Sequence, residues 1–552
     1  VMLGLDDANL PLPAKLPVAV RAAELAIALG DHAQAEEILL PYKGQDDAGA
    51  QRTLGHALVG RNWHQPRHPD FAAGVEAMER ATRLWPGDAE TWCLQAECAA
   101  HRNEDDQARI LFSRALAADG TEPRTLAHYL EFEAASQGND RPLRLAAPMI
   151  RKSIARAKCQ IEAAANLPTA WSTLVAFHLY LHEPFAALEA LAQLLRLCGG
   201  GKPADADGPA QPCATGRALL RLRETLRRLR CLDRDLTGFP WVERFLLLAL
   251  ACRVRDEGAL KELAAHASWR SSRDGTGEPH FSQERKAVII AGGCEAELQP
   301  FMDAFGKLLQ RAGSGLEFDL ICGGTDVGIS RVAGDLAVRS EGRIHTYGYL
   351  PRTEIEDNVR YPRCFYSPKT DDFSPLDPLQ AWTDLVVAGV SPAVVRLLCY
   401  APGDIARAEC AIALGLGARV GVVLDPNLPR DRLFDGTAWA GCDNLLFLPM
   451  DAMTLRAFLQ MAQQPLTAED MTRLERAARR AHEDYTQSAK PKDPSLFPLD
   501  KLEDSLKISN YHQVAYWEHT LRNYGLGVRK LTDTDLQHDP LVMDEVLPKR
   551  EG

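Results

Sequence analysis

The hydrophobic pattern divides the chain into two regimes. From about residue 15 to 270 the apolar positions fall at helical spacing, in pairs of short amphipathic segments. Between Phe71 and Glu133 the pattern repeats: Ala81 in ERATRLWPGD matches Ala115 in SRALAADGTE, and 115 − 81 = 34. Thr91 and Trp92 match Thr125 and Leu126 in the same way, and Trp171 and Ala187 keep the separation of Trp92 and Ala108. A lone helix pair cannot bury its apolar face, so a repeated pair predicts a stack in which neighbours supply the missing surface. Ala22 to Leu40 reads as a further pair turning at Gly30-Asp31, and the register slips at the insertion WHQPRHP, Trp63 to Pro69.

At Lys286 the period changes from helical to extended. KAVIIAGG, FDLICGG, GRIHTYGY, VVRLLCYAPGD, RVGVVLDP and NLLFLP are short apolar runs, most of them separated by helical segments. That alternation predicts a doubly wound, Rossmann-like parallel sheet with helices on both faces. The stretch Tyr361 to Pro378, rich in Pro, Asp and aromatics, is expected to form a loop over the sheet edge. The predicted organisation is multidomain α and α/β. Helical repeats occupy 1–200, a Gly/Pro/Asp-rich linker 201–216 and a further helical segment 217–282. The sheet domain spans 283–465, a small helical module 470–530 and a polar tail 531–552.

Charge and cysteine usage narrow the function classes. A formal charge of −12 argues against sequence-independent binding to duplex DNA, which needs a positive surface. Arg217 to Arg230 is dense in Arg on a leucine-bearing helical pattern, and is expected to be a solvated face with acidic neighbours elsewhere. The 13 cysteines form no CxxC pair and no zinc-type cluster, so free thiols are expected and no metal site. His56, His64 and His68 lie near the insertion without a carboxylate or Cys to complete a metal site. Phe245 to Cys252 is the longest dense apolar run, too short to span a bilayer, and Val1 to Leu10 shows no signal-peptide pattern. A cytoplasmic protein with no membrane contact is the expectation.

The helix-pair spacing resembles tetratricopeptide arrays, which implies contact with a protein partner or self-assembly, here into a homo-oligomer. Glycines mark the candidate site in the sheet region. Gly292 and Gly293 close the first strand. Gly323, Gly324 and Thr325 fill a strand-to-helix turn in ICGGTDVGISRVAGDLA, with Gly328 one step on. In YAPGDIARAECAIALGLGARVGVV, Gly403 and Asp404 follow a strand and Glu409 falls inside the next helix. Glycine lets the backbone approach an anion, and helix N-termini offer free N–H groups.

Together the two segments resemble the SLOG superfamily, which includes the cytokinin-activating Lonely-guy enzymes, DNA-processing protein A and the sensor domain of melastatin-type channels. The GGTxxGI form is closest to the channel-type and bacterial-defence branch. The resemblance implies a nucleotide, an ADP-ribose derivative or another NAD-derived signal as ligand, with no resident cofactor. Gly323, Gly324, Thr325 and Gly328 would hold a phosphate, Gly403 and Asp404 the opposite wall, and Glu409 a ribose or base. Arg331 and the group Arg352, Arg360 and Arg363 are the nearest basic residues to neutralise such a ligand. Where the Lonely-guy enzymes carry PGGxGTxxE, this chain reads PGDIARAE. Asp404 replaces the second Gly and the Gly-Thr pair is lost, which favours binding over hydrolysis.

From Met471 to Val528, a helical segment with His482, Glu483 and Tyr485 leads through a Pro-rich turn into LDKLEDSLKISNYHQVAYWEHTL. The match resembles the ryanodine receptor repeat domain at His482, Tyr485, Leu502, Ser509, Asn510, Gln513 and Ala515. That family implies ligand recognition. Tyr485, Asn510 and Trp517 would offer stacking faces and an amide to a base, or serve as core and helix-start residues, and His482 reads as structural. Three functional readings stay open. The first is a nucleotide-signal sensor that couples binding to assembly or effector output, in a setting such as antiviral defence. The second is an N-glycosidic hydrolase using Glu409 and Asp404, and the third a protein-interaction scaffold.

Overall fold

The computed structural model describes residues 12–28, 30–165, 167–197, 214–267, 281, 285–351, 358–367, 372–460, 479 and 482. Among these residues fourteen α-helices come first: α1 (Leu12–Ala28), α2 (His32–Leu39), α3 (Ala48–Arg61), α4 (Pro69–Leu84), α5 (Ala89–His101), α6 (Asp105–Ala118), α7 (Pro123–Gln137), α8 (Arg141–Leu145), α9 (Ala147–Glu162), α10 (Leu167–Tyr180), α11 (Pro184–Arg196), α12 (Ala214–Arg228), α13 (Phe239–Ala249) and α14 (Glu257–Ala267). Their ends follow local chemistry. Asp31, Asp47 and Asp88 accept first-turn N–H bonds as N-caps, and Pro69, Pro123 and Pro184 sit in the first turn, where a missing N–H costs nothing. Consecutive helices pack as pairs, α1 with α2, α3 with α4, α5 with α6 and α10 with α11. At one crossing only glycine fits: a Cβ on Gly55 of α3 would lie 2.6 Å from the Gly74 carbonyl of α4.

The second half alternates strands and helices: β1 (Ala287–Gly292), α15 (Gln299–Gly313), β2 (Phe318–Cys322), α16 (Gly328–Val338), β3 (Ile344–Pro351), β4 (Arg363–Ser367), α17 (Leu376–Val387), β5 (Arg396–Tyr400), α18 (Asp404–Leu416), β6 (Arg419–Leu424), β7 (Leu445–Pro449) and α19 (Ala452–Gln460). The seven strands form one sheet in the order β4-β3-β2-β1-β5-β6-β7, every pair parallel. The winding reverses between β1 and β5. β4 corrects the expectation of a loop over Tyr361 to Pro378, because residues 363–367 pair with β3 and form the sheet edge.

Side chains alternate across the sheet with period two, and both faces are buried. Val288, Ile290, Leu320 and Leu398 point into a core with α15, α16 and α19. Ile289, Leu397, Cys399 and Val420 point the other way, into a core that continues through α17 and α18 into α7, α10, α11 and α13 of the helical array. The array therefore shares its core with the sheet. Gly415 of α18 meets α11 so closely that a Cβ there would lie 3.0 Å from the Ala192 Cα. Polar bonds fix the same contact: Gln193 donates to the Ala438 carbonyl (2.8 Å), and Arg253 to that of Gly415 (3.0 Å).

The Arg-rich helix α12 lies along the inside of the array. Arg217 donates to the Ala28 carbonyl, while Arg221 meets Glu97 (2.7 Å), Arg223 meets Asp256 (3.0 Å) and Arg228 meets Glu131 (3.1 Å). Its leucines Leu219, Leu222 and Leu226 are buried, so its cations hold the helix against its own chain. Among the described residues no helix is long and apolar enough to cross a membrane.

Candidate functional site

A cavity of about 650 Å³ opens at the carboxyl ends of β1 and β5, at the reversal of winding. Crevices for ligands form there because the flanking loops leave the sheet in opposite directions. Close backbone approach shapes the floor. A Cβ on Gly292 would lie 2.3 Å from the Tyr400 carbonyl oxygen, and one on Gly293 would lie 2.4 Å from Leu298 and 2.8 Å from the Ala401 carbonyl. Ala401 itself takes φ +50°, a left-handed conformation that costs a non-glycine residue of order 1–3 kcal/mol, at the turn into α18.

Both glycine-bearing loops reach this one cavity. Gly292, Gly293, Gly323, Thr325, Gly403, Asp404 and Glu409 all line it. Gly324, Gly328 and Arg331 do not, and each has another role. Gly324 (φ +74°) packs against Gly348 of β3, where a Cβ would lie 2.9 Å from that Cα, and its carbonyl accepts from Asn358 (3.0 Å). Gly328 (φ +53°) lets α16 press on β1, since its Cβ would lie 2.6 Å from the Gly293 carbonyl. Arg331 lies along α16 at 4.0 Å from Asp335.

Gly323 and Thr325 thus face the cavity, while their neighbours in the turn after β2 are tied to other parts of the fold. The N–H of Ile329 is spent on the Gly293 carbonyl (3.0 Å). Arg360 is likewise committed, to Asp335 (2.5 Å) and Asp326 (2.8 Å), and Arg363 to the Tyr347 hydroxyl (2.8 Å). Arg352 lies outside the described residues. The other helix start is open: α18 has Gly403 at its N-cap and no side chain capping it, and Gly403, Asp404, Ile405 and Ala406 face the cavity. Asp404 is exposed and pairs along the helix with Arg407 (3.1 Å). Arg432, the basic residue nearest Gly403, bonds Glu295 (2.6 Å) across the mouth.

The deep wall carries a group absent from the motifs. Asp377, in the first turn of α17, is 3% exposed. One of its oxygens accepts from the Ser374 N–H (2.9 Å) and the other, Oδ1, has no partner. Burial pushes the Asp377 carboxyl up to about 7. Burial, and then the charge of Asp377, pushes Glu409 up to about 8. The Thr325 hydroxyl is also buried and unpartnered. Tyr349 lines the same wall, its hydroxyl held by Asp384 (2.7 Å). Two half-exposed aromatics complete the cavity: Phe373, ahead of α17, and Phe185, from α11 of the helical array. Among the described residues no Lys, Arg or His lines the cavity. Motif reading does not find Asp377, Phe185 or Phe373, because only the tertiary winding brings α11, α17 and α18 around one cavity.

A second concavity, of about 800 Å³, lies inside the array. Its charges are matched: Arg52 with Glu24 (2.5 Å), Arg124 with Glu90 (2.7 Å), and Thr225 and Arg228 on Glu131 (2.9 and 3.1 Å). Burial holds His56 and His128 down at about 3, so both stay neutral; Arg124 adds to the effect on His56. Glu97 is held well below the usual carboxylate range: burial opposes this, and Arg221, His128 and Arg124 outweigh it.

In the C-terminal region His482 is buried, while Tyr485, Asn510 and Trp517 lie outside the described residues. Every described cysteine is free, and among the described residues no group of three or more His, Cys, Asp or Glu is arranged to hold a metal ion. No protein-family model matches the chain, and no curated protein matches it in sequence.

Proposed function

We propose that the chain is a sensor of a small nucleotide-derived ligand, of the NAD, ADP-ribose or cyclic-nucleotide type, whose binding is felt by the helical array. One observation carries the reading. The cavity at the β1/β5 reversal is built from both glycine-bearing loops and takes one wall, Phe185, from the array itself. A ligand shifts a conformational equilibrium only through different affinities for its two states, and a shared wall is a direct means to that difference. The volume is of the size that holds a nucleotide-sized molecule. The anionic part belongs at the uncapped start of α18, where free N–H groups and the helix dipole favour negative charge and Arg432 stands close by. The defence setting rests on the resemblance to the bacterial SLOG branch, and assembly through the array on the resemblance to tetratricopeptide repeats.

Calorimetry against NAD, ADP-ribose, cyclic ADP-ribose and cyclic oligonucleotides tests the reading. Saturable binding of at least one is expected, weakened by Phe185→Ala and abolished by Gly403→Trp. Binding that survives Gly403→Trp would place the ligand elsewhere.

A second reading, N-glycosidic cleavage, is favoured by one feature: two carboxyls share the deep wall, and Glu409 retains its proton at neutral pH. A protonated acid beside a second carboxyl is the equipment of general acid–base catalysis. Asp377 takes the place that Asp404 has in the motif-based expectation, since Asp404 is exposed and paired with Arg407. Product analysis separates the readings: turnover lost in Glu409→Gln supports cleavage, and binding without turnover supports sensing.

A further inference from the structure

We infer that the deep end of the cavity, where Asp377 and Glu409 share one wall with Phe185 and Phe373, receives a planar nitrogen heterocycle that is cationic or presents N–H donors. This rests on the sensor reading and adds the orientation of the ligand: ring inward, anionic groups at the start of α18.

The argument is one of unmet demand. Asp377 Oδ1 is buried without a donor among the described residues, and the carboxyl of Glu409 lines the same cavity. The titratable groups facing them are Cys294 and Glu295 after β1, Cys322 of β2, Tyr349 of β3 and Asp404 of α18, all acidic or neutral. Two carboxyls without a cation in a low-dielectric pocket keep protons they would otherwise lose, as the upward shifts of both show. A phosphate or carboxylate there would add a third acid. A flat cationic or donor-edged ring supplies what is missing: donors to the orphaned oxygen, charge to balance an ionised carboxylate, and a face for the half-exposed phenyl rings. The chemistry has two sources, a pyridinium ring such as that of oxidised nicotinamide and a guanine-type N–H edge.

The test is calorimetry on the full chain at pH 7 with four probes: 1-methylnicotinamide (cation), nicotinamide (neutral), nicotinate (anion) and guanosine. The cation or guanosine should bind at least about tenfold more tightly than nicotinate, the scale of one charge-assisted hydrogen bond. Preference for 1-methylnicotinamide identifies the cationic ring, and preference for guanosine the donor edge. Repeating the titration in buffers of different ionisation enthalpy should show proton release, because a group held at about 8 is protonated at pH 7 and a bound cation drives it to ionise. Glu409→Gln should abolish that release, and Asp377→Asn should weaken binding about tenfold. Thermal unfolding confirms that each amide variant folds. Nicotinate binding as well as the cation, or binding without proton release that both variants preserve, overturns the orientation. If NAD or ADP-ribose binds under those same outcomes, the sensor reading stands alone; if no nucleotide binds the wild type, both fall.

Discussion

Two concavities of this molecule obey opposite electrostatic rules. In the array groove nearly every charge has its opposite: Glu97, Glu131 and Glu24 are met by Arg221, Arg228 and Arg52. In the sheet cavity Asp377 and Glu409 stand without a cation among the described residues. A matched cluster is what a folded chain needs to keep charge inside, whereas unmatched acids cost stability and persist where something else is bound. The groove therefore reads as structure and the sheet cavity as a site. Removing groups from each tests that distinction.

The largest effect belongs to the groove. Glu97→Ala takes the carboxylate from half-exposed Arg221 and the longer of two contacts from buried Arg124, which keeps Glu90. A loss of about 2–3 kcal/mol in denaturant unfolding is expected, less than for a fully enclosed pair because Arg221 is half in solvent. A loss below about 1 kcal/mol would show that the cluster is solvated in solution and the contrast false. Next comes the cavity floor. Gly292→Ala places a methyl against the Tyr400 carbonyl of the neighbouring strand, where backbone has little room to move. Unfolding should show a cost of about 1–3 kcal/mol, with ligand binding reduced in the folded fraction.

Proton linkage separates the two concavities more finely, because the signs oppose. Glu409 is raised from its ordinary 4.5 to about 8, so its contribution to stability is complete below pH 4.5 and is lost as pH rises through 8. His56 is lowered from 6.5 to about 3, so its contribution is present above pH 6.5 and is lost as pH falls toward 3. Glu409→Gln should flatten the alkaline limb alone, gaining about 1 kcal/mol or more at pH 8, and His56→Gln the acid limb alone. Unfolding curves at pH 4, 6 and 8 check both. A limb left unchanged removes the assigned group.

Much of this arrangement is legible in the residues. The strands announce themselves because both faces of the sheet are covered, which demands unbroken apolar runs such as AVII and RLLCY. β4 escapes notice because RCFYS is an edge strand set among Pro and Asp, with too little pattern to stand out. Arg331 misleads for a related reason: nearness in sequence to the glycine turn suggests a phosphate partner, but helical geometry pairs it with Asp335 one turn on. Asp377 is the instructive case. In the segment SPLDPLQAW it has the look of a helix-start acid, and it does accept a local N–H from Ser374. Its second oxygen acquires meaning only when winding sets α17 and α18 around one cavity, a fact no local pattern encodes.

The smallest effect bears on where the charged part of a ligand sits. Asp404 is largely exposed, and its bond to Arg407 is a surface pair, so Asp404→Asn should change stability by about 0.5 kcal/mol or less. Its position is less innocent than its energy. It stands at the first residue of α18, where its own negative charge occupies the field that an incoming anion would use. Removing that charge should tighten binding of an anionic nucleotide about two- to fivefold at low salt, and the gain should shrink as added salt screens the mouth. Tighter binding with unchanged stability separates an electrostatic obstacle from a structural prop. Weaker binding would mean that Asp404 touches the ligand itself, through a sugar hydroxyl for example, and the anion would then have to be moved away from the start of α18.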